Sequence, residues 1–288
     1  MSKFNAEWLR LREAADNRAR TDHLVALLHS AWPGRNRSVV DLGAGTGANL
    51  RYLAPRLGPR QRWRCVDHDP ALLEKLQSIT ADWARSRGYQ VQPERGHFRI
   101  SGTDWNALVV TEQRDLSIDV ESLPLPAKGL VTASALLDLV SENWLRRIVD
   151  RGRAAECSLL FALSYDGRAQ LLPANPDDQR VVALVNRHQR RDKGIGFALG
   201  PDASAAAERI ATQAGYRVTA APSNWRIDAR ERSLQKGLID GWVTAARQLA
   251  DMSPTQLAAW QAERQRTIEN GRLVIEVGHR DLLALGPG

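Results

Sequence analysis

Three glycines and an acidic residue form the segment of this chain that is best suited to hold a small ligand. Gly43, Gly45 and Gly47 alternate with small residues, and Asp41 stands two positions before the first of them. Glycine lets the backbone turn tightly and approach a ligand without a Cβ in the way. A helix that starts after such a turn presents unpaired N–H groups to the ligand. The segment therefore predicts a site for a nucleotide-type cofactor.

The glycine spacing by itself fits two kinds of cofactor. Gly43, Gly45 and Ala48 match the G-x-G-x-x-A variant of the dinucleotide fingerprint. A second match is the first motif of the class I S-adenosylmethionine (SAM) dependent methyltransferases, which resembles the run Asp41-Leu42-Gly43-Ala44-Gly45-Thr46-Gly47. In that family the acidic residue supports the loop and the amino-acid end of SAM, which carries an ammonium and a carboxylate. A dinucleotide pyrophosphate has no ammonium and gains nothing from Asp41, so we favour SAM.

A second carboxylate is expected beside this loop. The apolar run that ends in Cys65-Val66-Asp67 predicts a strand, and Asp67 lies 20 residues after Gly47. A carboxylate at the tip of that strand can accept both ribose hydroxyls, in dinucleotide enzymes as well as in methyltransferases. Asp69 precedes Pro70 and is predicted to cap the next helix instead. We therefore predict that Asp67 binds the ribose.

The resemblance implies two further cofactor contacts. Asp115-Leu116 is similar to the third motif of the family, where an acidic side chain takes the adenine amino group and an apolar neighbour packs against the ring. The alternative is that Asp115 is an exposed loop residue, because the interval to Leu123 is longer than usual in the family. The segment Leu130–Val140 is similar to the fourth motif, whose end lines the cofactor and the acceptor.

Ser134, Leu137 and Asp138 are the candidates in that fourth motif. Ser134 is predicted to contact the cofactor. A buried Asp138 would be a catalytic residue that orients the methyl acceptor, or equally a cap of the helix that follows.

The N-terminal helix offers one more cofactor residue. Arg12, Asp16 and Arg20 follow each other at intervals of four, which is typical of an exposed ion-pair ladder. In the resembled family such helices often cover the cofactor, so Arg12 or Arg20 could bind the SAM carboxylate. We name Arg12 as the predicted cofactor residue.

The acceptor is expected to bind at an irregular segment between residues 165 and 201. Its part from Asn186 to Phe197 is dense in hydrogen-bond donors, and its Arg and Lys side chains suit a carboxylate or phosphate. Long loops inside a compact domain are usually functional. His188 is predicted as a general base, and the alternative is a surface histidine in a solvated basic loop.

Alternating strands and helices must position these residues. The predicted strands are Ser38–Leu42, Arg62–Val66, one within Gln90–Asp119, Leu130–Ser134, Ser158–Ser164, Tyr216–Ala220 and Leu273–Val277. The predicted helices are an N-terminal one carrying Phe4, Trp8, Leu11 and Ala15, then Ala48–Leu57, Pro70–Arg87, Ser141–Asp150, Val181–Val185, Ser204–Gly215, Leu234–Leu249 and Leu257–Glu269.

The pattern predicts an α/β fold, and the resemblance implies a Rossmann-like, mostly parallel sheet of seven strands. The implied order is 3-2-1-4-5-7-6, with the last strand antiparallel. We expect a single domain over 1–288, with an N-terminal helical cap (1–37), a SAM-binding core (38–164), a substrate-side insertion after strand 5 (165–201) and the rest of the sheet (202–288).

Composition narrows the classes of function. The net charge of +7 permits an anionic partner, but arginine outnumbers lysine and no nucleic-acid module accompanies it, so a nucleic-acid partner is not expected. Cys65 and Cys157 have no zinc-site spacing and are expected in the core, and no metal is expected. No run of about 18 apolar residues and no signal sequence is visible, so we expect a cytoplasmic protein without a membrane partner.

The predicted function is a SAM-dependent methyltransferase that acts on an oxygen or nitrogen atom of a small, anionic acceptor, with its oligomeric state open. No Asn-Pro-Pro-Tyr-like motif marks amino-methylation of bases or glutamine. Two alternatives stay open. One is a SAM-binding scaffold or partner subunit without catalysis, and the other is an RNA methyltransferase.

Overall fold

The computed structural model describes residues 5–32, 34 and 36–286. Phe4 of the predicted first helix lies outside these residues. The described α-helices are α1 (Ala6–Ala19), α2 (Asp22–Ala31), α3 (Ala48–Leu53), α4 (Pro70–Ser86), α5 (Glu142–Ala154), α6 (Asp178–Gln189), α7 (Ala203–Gln213), α8 (Arg232–Arg247) and α9 (Pro254–Glu269). The described strands are β1 (Asn36–Leu42), β2 (Arg60–Asp67), β3 (Gln90–Glu94), β4 (His97–Ser101), β5 (Asn106–Gln113), β6 (Leu130–Ser134), β7 (Ser158–Leu172), β8 (Arg217–Pro222), β9 (Trp225–Ile227) and β10 (Val274–Leu285).

The strands form one mixed sheet in the order β3-β4-β5-β2-β1-β6-β7-β10-β8, and β9 pairs with β10. From β5 to β7 all neighbours are parallel, whereas β10 runs antiparallel to β7 and β8. The α/β class is as predicted, but seven strands are too few. The implied order describes only the part from β5 to β8, because the β3-β4 hairpin extends one edge and β9 pairs outside the path.

Helices cover both faces of the central parallel strands. Helices α2, α3 and α4 pack on one face, and α5 and α7 pack on the other. Parallel strands covered on both faces are buried along their length, as in Val39–Leu42 and Leu130–Ala133. A third cluster joins α6, α8 and α9 to the far ends of β7 and β10, and α1 adds Ala15 to it. Trp8 and Leu11 pack against that cluster with their side chains half-buried, on the predicted apolar side of α1.

The strands β7 and β10 are much longer than predicted. They pair antiparallel from Val274 opposite Leu172 to Ala284 opposite Leu159. Beyond Tyr165 most residues of β7 are partly or fully exposed, so the buried run that marks its first half ends there. The predicted insertion at 165 therefore begins inside a strand, and only the chain after Leu172 leaves the sheet.

Three helices also differ from the prediction. Helix α2, which Thr21 caps, was not predicted separately from α1. Helix α3 ends at Leu53, and a 3-10 turn with Pro55 follows it, because proline lacks the N–H that would continue the α-helix. Helix α6 extends well beyond Val181–Val185 on both sides. Among the described residues, none of the helices is long and apolar enough to cross a membrane.

Candidate functional site

The glycine loop leaves β1 and enters α3 through left-handed backbone. Gly43, Gly45 and Gly47 have φ angles of +64°, +53° and +84°. A Cβ on Gly45 would lie 3.0 Å from Leu9 Cδ1, and one on Gly47 would lie 2.9 Å from Leu76 Cγ. The loop therefore needs glycine for both conformation and space. Gly43 and Gly45 line a cavity at the carboxyl ends of the parallel strands, whereas Gly47 lies below it as the N-cap of α3.

Asp67 lies at the end of β2 and lines the same cavity. Its Oδ2 accepts a hydrogen bond from the Gly45 N–H at 2.8 Å, and its Oδ1 accepts one from the Asp69 N–H at 3.0 Å. Each carboxylate oxygen keeps a second lone pair, so Asp67 can still accept from a ligand. Asp69 caps α4 by accepting from the Ala71 N–H at 2.9 Å, as its position before Pro70 predicted.

Asp41 is buried beneath the loop and does not line the cavity. Its Oδ1 accepts from Asn49 Nδ2 at 2.7 Å, and Asn49 Oδ1 accepts from Arg20 Nη1 at 2.8 Å. Burial raises the pKa of Asp41 to about 7, although the Asn49 hydrogen bond and the Arg20 charge oppose that rise. Asp41 therefore supports the loop from below, and Asn49, not Asp41, lines the cavity.

Arg12 and Asp16 of α1 form an ion pair on the cavity wall, with Arg12 Nε 2.9 Å from Asp16 Oδ2. The Trp225 Nε1–H donates to Asp16 Oδ1 at 3.0 Å, and the Arg12 guanidinium lies 4.9 Å from the centre of the Trp225 ring. Arg20, the other candidate, points into the protein and stacks on Tyr52. Arg12 and Asp16 therefore line the cavity, whereas Arg20 is buried inside the protein.

Of the two residues predicted to bind adenine, Asp115 and Leu116, only Leu116 lines the cavity. Leu116 lines the cavity, and its carbonyl accepts from Trp144 Nε1 at 2.7 Å. Asp115 is not a lining residue. Its Oδ1 accepts from the Ser117 hydroxyl at 2.6 Å and the Ser117 N–H at 2.9 Å, and these bonds hold its pKa below the usual range. The exposed-loop alternative therefore describes Asp115 here.

The end of β6 contributes Ser134, which lines the cavity, and a 3-10 turn that carries Leu137 and Asp138. Leu137 is buried in the core. Asp138 does not cap α5, because Ser141 accepts from the Trp144 N–H at 3.3 Å. Asp138 is half-buried beside the cavity, and its buried Oδ1 has no hydrogen-bond partner. Burial raises the pKa of Asp138, against the opposing charges of Arg12 and Lys193.

Lys193 and Ile195, which follow α6, line the cavity, whereas His188, in the last turn of α6, does not. His188 Nε2 lies 2.8 Å from Gln248 Oε1, and Lys193 Nζ lies 3.4 Å from His188 Nδ1. A neutral ring that donates to Gln248 leaves Nδ1 to accept from the ammonium. Burial lowers the pKa of His188 and that of Lys193. In this position His188 orients Lys193 and is not directed at a ligand.

Several cavity residues were not predicted from the sequence. They are Leu9, Asp16, Asn49, Leu72 and Trp144. Asn49 directly follows the glycine loop, and Asp16 lies one turn after Arg12, so local signals existed for both. Leu9 and Trp144 reach the cavity only through packing, which no local pattern indicates. Among the described residues, no group of three or more His, Cys, Asp or Glu side chains could hold a metal ion, and Cys65 and Cys157 are buried.

No protein-family model and no curated protein sequence matches this chain. Among solved structures, the YcgJ protein of Bacillus subtilis is 16% identical, with 93% of this chain and 100% of that chain covered and a TM-score of 0.47. The cyclopropane synthase MmaA2 of Mycobacterium tuberculosis is 11% identical, with 98% and 94% covered and a TM-score of 0.48.

Phosphoethanolamine N-methyltransferase 2 of Haemonchus contortus, solved with S-adenosylhomocysteine, is 14% identical over 93% of this chain and 53% of that chain, with a TM-score of 0.42. All three TM-scores are below 0.5, so these distant likenesses assign no function. The function has to be inferred from the geometry of the cavity.

Proposed function

We propose that this protein is a SAM-dependent methyltransferase that methylates an oxygen or nitrogen atom of a small anionic acceptor. The observation that carries the proposal is that the glycine loop, Asp67 and the Arg12–Asp16 pair all line one cavity. This cavity lies at the carboxyl ends of the neighbouring strands β1 and β6. The chain after β1 continues to one face of the sheet and the chain after β6 to the other, and open α/β sheets bind their ligands at such a point.

The charges around the cavity fit an amino acid better than a pyrophosphate. The Arg12 guanidinium suits the SAM carboxylate, and the Asp16 carboxylate suits the SAM ammonium. A pyrophosphate would meet the carboxylates of Asp16 and Asp67 and gain nothing from them. The side chains therefore support SAM over a dinucleotide.

The nucleoside end of SAM has its own set of residues. Asp67 would accept the ribose hydroxyls with the lone pairs that Gly45 and Asp69 leave free. Leu72, Leu116 and Trp144 offer apolar surface for the adenine ring. Asp115 is not assigned to the adenine amino group, because it is exposed and does not line the cavity.

Bound SAM would supply a methyl group on a positively charged sulfur, whose leaving group is neutral. The protein then has to orient the acceptor and exclude water. Helix α1 contributes to both, since Leu9 packs against the glycine loop and Arg12 lies on the cavity wall. A nucleophilic triad is not required for this chemistry.

Calorimetry with SAM, S-adenosylhomocysteine and NAD⁺ tests the cofactor assignment. We expect the first two ligands to bind and NAD⁺ not to bind. Release of S-adenosylhomocysteine from SAM with candidate acceptors then tests catalysis. Binding of NAD⁺ in place of SAM would contradict the proposal, and tight SAM binding without any release would indicate a non-catalytic SAM-binding subunit.

A further inference from the structure

Two oppositely charged groups at one end of the cavity lack the partners that buried charges usually have. Lys193 lines the cavity, and it forms no ion pair within the described part of the chain. Its ammonium contacts only the neutral His188 ring, at 3.4 Å. Asp138 Oδ1 is buried without a donor. A buried carboxylate oxygen without a donor costs stability unless a ligand completes it, and the half-buried Lys193 ammonium remains free to bind an anion.

The turn that carries Asp138 is hydrogen-bonded to the segment that carries Lys193, since the Leu199 N–H donates to the Val140 carbonyl at 2.8 Å. Asp138 and Lys193 therefore lie on adjacent segments, where each charge shifts the pKa of the other. They nevertheless do not form an ion pair with each other. Leu139, which directly follows Asp138, lines the cavity together with Lys193 and Ile195. A ligand that enters along Leu139 can therefore reach both charged groups.

We propose, as an extension of the proposed function, that these two residues recognise opposite ends of the methyl acceptor. Lys193 binds its anionic group, and Asp138 accepts a hydrogen bond from the N–H or O–H that receives the methyl group. His188 and Gln248 hold Lys193 in place. The acceptor class is then a small carboxylate or phosphate that also carries an amine or hydroxyl group.

Ligand-induced shifts of the thermal midpoint test this assignment, with and without S-adenosylhomocysteine. The probes are glycine, salicylate and phosphoethanolamine within a broad panel of amino and hydroxy carboxylates and phosphates. Each probe is paired with a counterpart that lacks the anionic group, namely glycinamide, salicylamide and ethanolamine. Comparison of the carboxylates with the phosphates shows which anion the site prefers. We expect some anionic members to bind the wild-type protein more tightly than their counterparts do.

The variant Lys193→Gln should weaken the binding of those anions about 10-fold or more. Arg191→Gln is the matched control, because it removes a positive charge from the same exposed loop without touching the cavity. Equal weakening in both variants would overturn the role of Lys193. So would the absence of any anion binding to the wild-type protein.

Asp138→Asn is tested with pairs of probes in which methyl groups replace the hydrogens of the N–H or O–H donor. Examples are glycine against its trimethylated form and salicylate against 2-methoxybenzoate. The wild-type protein should prefer the member with a free N–H or O–H, and the variant should lose that preference. An unchanged preference would overturn the role of Asp138. If neither SAM nor S-adenosylhomocysteine bound the wild-type protein, the proposed function would be wrong. Anion binding is also measured without these ligands, so that this failure can be distinguished from failure of the acceptor assignment.

Discussion

In the proposed cofactor half of the site, which comprises the loop Gly43–Gly47, Asp67 and the underlying Asp41, both oxygens of Asp67 accept backbone hydrogen bonds, and Asn49 donates to Asp41. In the acceptor half (Asp138, Lys193 and Ile195), Asp138 Oδ1 accepts no hydrogen bond and Lys193 has no carboxylate partner within the described residues. The first half is held in shape by the protein itself. The second half keeps charges available for a ligand, at a cost in stability.

The difference follows from the elements on which the two halves are built. The cofactor half joins the ends of adjacent parallel strands, β1 and β2, so its groups are held by sheet pairing. The acceptor half combines a 3-10 turn after β6 with the loop after α6, which are far apart in the sequence. Loops carried by a rigid sheet are where specificity can vary without loss of the fold.

The test with the largest expected effect concerns Asp41. In a half of the site where both oxygens of Asp67 have hydrogen-bond partners, Asp41 is the exception, because its Oδ2 has none. Its pKa of about 7 in the folded protein lies above the value of an unfolded aspartate, so the unfolded chain releases the proton first as the pH rises. The free energy of unfolding should therefore fall between about pH 4 and pH 7, by on the order of 3 kcal/mol for this group.

Asp41→Asn should lack that fall. Urea unfolding of both proteins at several pH values measures the gap between them, which should widen in favour of the variant as the pH rises. Parallel curves for the two proteins would show that Asp41 titrates normally, and the cofactor half would then contain no buried charge that the fold disfavours.

The second test separates Asp67 from its neighbour Asp69. Asp67→Ala should weaken SAM binding about 10-fold to 100-fold, because it removes charge-assisted hydrogen bonds to the ribose and the tie to Gly45. Asp69→Ala removes the cap of α4, which should cost about 1 kcal/mol of stability. Asp69 also lines the cavity, but its N–H bond to Asp67 is kept in this variant, so SAM affinity should fall much less than in Asp67→Ala. Calorimetry that shows equal losses of affinity would contradict the ribose assignment.

The third and smallest test concerns the acceptor half, where the substitution is expected to stabilise the protein, in contrast to Asp69→Ala. Asp138→Asn should raise the free energy of unfolding by about 1 kcal/mol, because a buried carboxylate without a donor becomes neutral. Asp178→Asn is the control, since Asp178 is also buried but accepts from Trp260 and Arg264, and its loss should destabilise the protein. Destabilisation by both variants would remove the contrast between the two halves.

The parts of the molecule that the sequence predicted are those in which local pattern and final contacts coincide. Strand β6 was predicted with its observed bounds, and Asp69 and Pro70 marked the start of α4, because capping acts within one turn. The second halves of β7 and β10 were missed, since polar residues interrupt the apolar pattern after Tyr165 and after Val277. Each of these halves is paired with the first half of the other strand. Likewise, Asp115 and Leu116 are neighbours in the sequence, but only Leu116 lines the cavity.

The sequence by itself determined the glycine loop, because left-handed φ angles leave glycine as the residue that fits without strain. It also determined that a carboxylate would stand at the tip of the neighbouring strand. The tertiary structure alone decided that Asp41 lies beneath the loop, that His188 contacts Lys193, and that the segments carrying Asp138 and Lys193 lie together beside the cavity. Backbone conformation depends on nearby residues, whereas the direction and partners of a side chain depend on packing between distant segments.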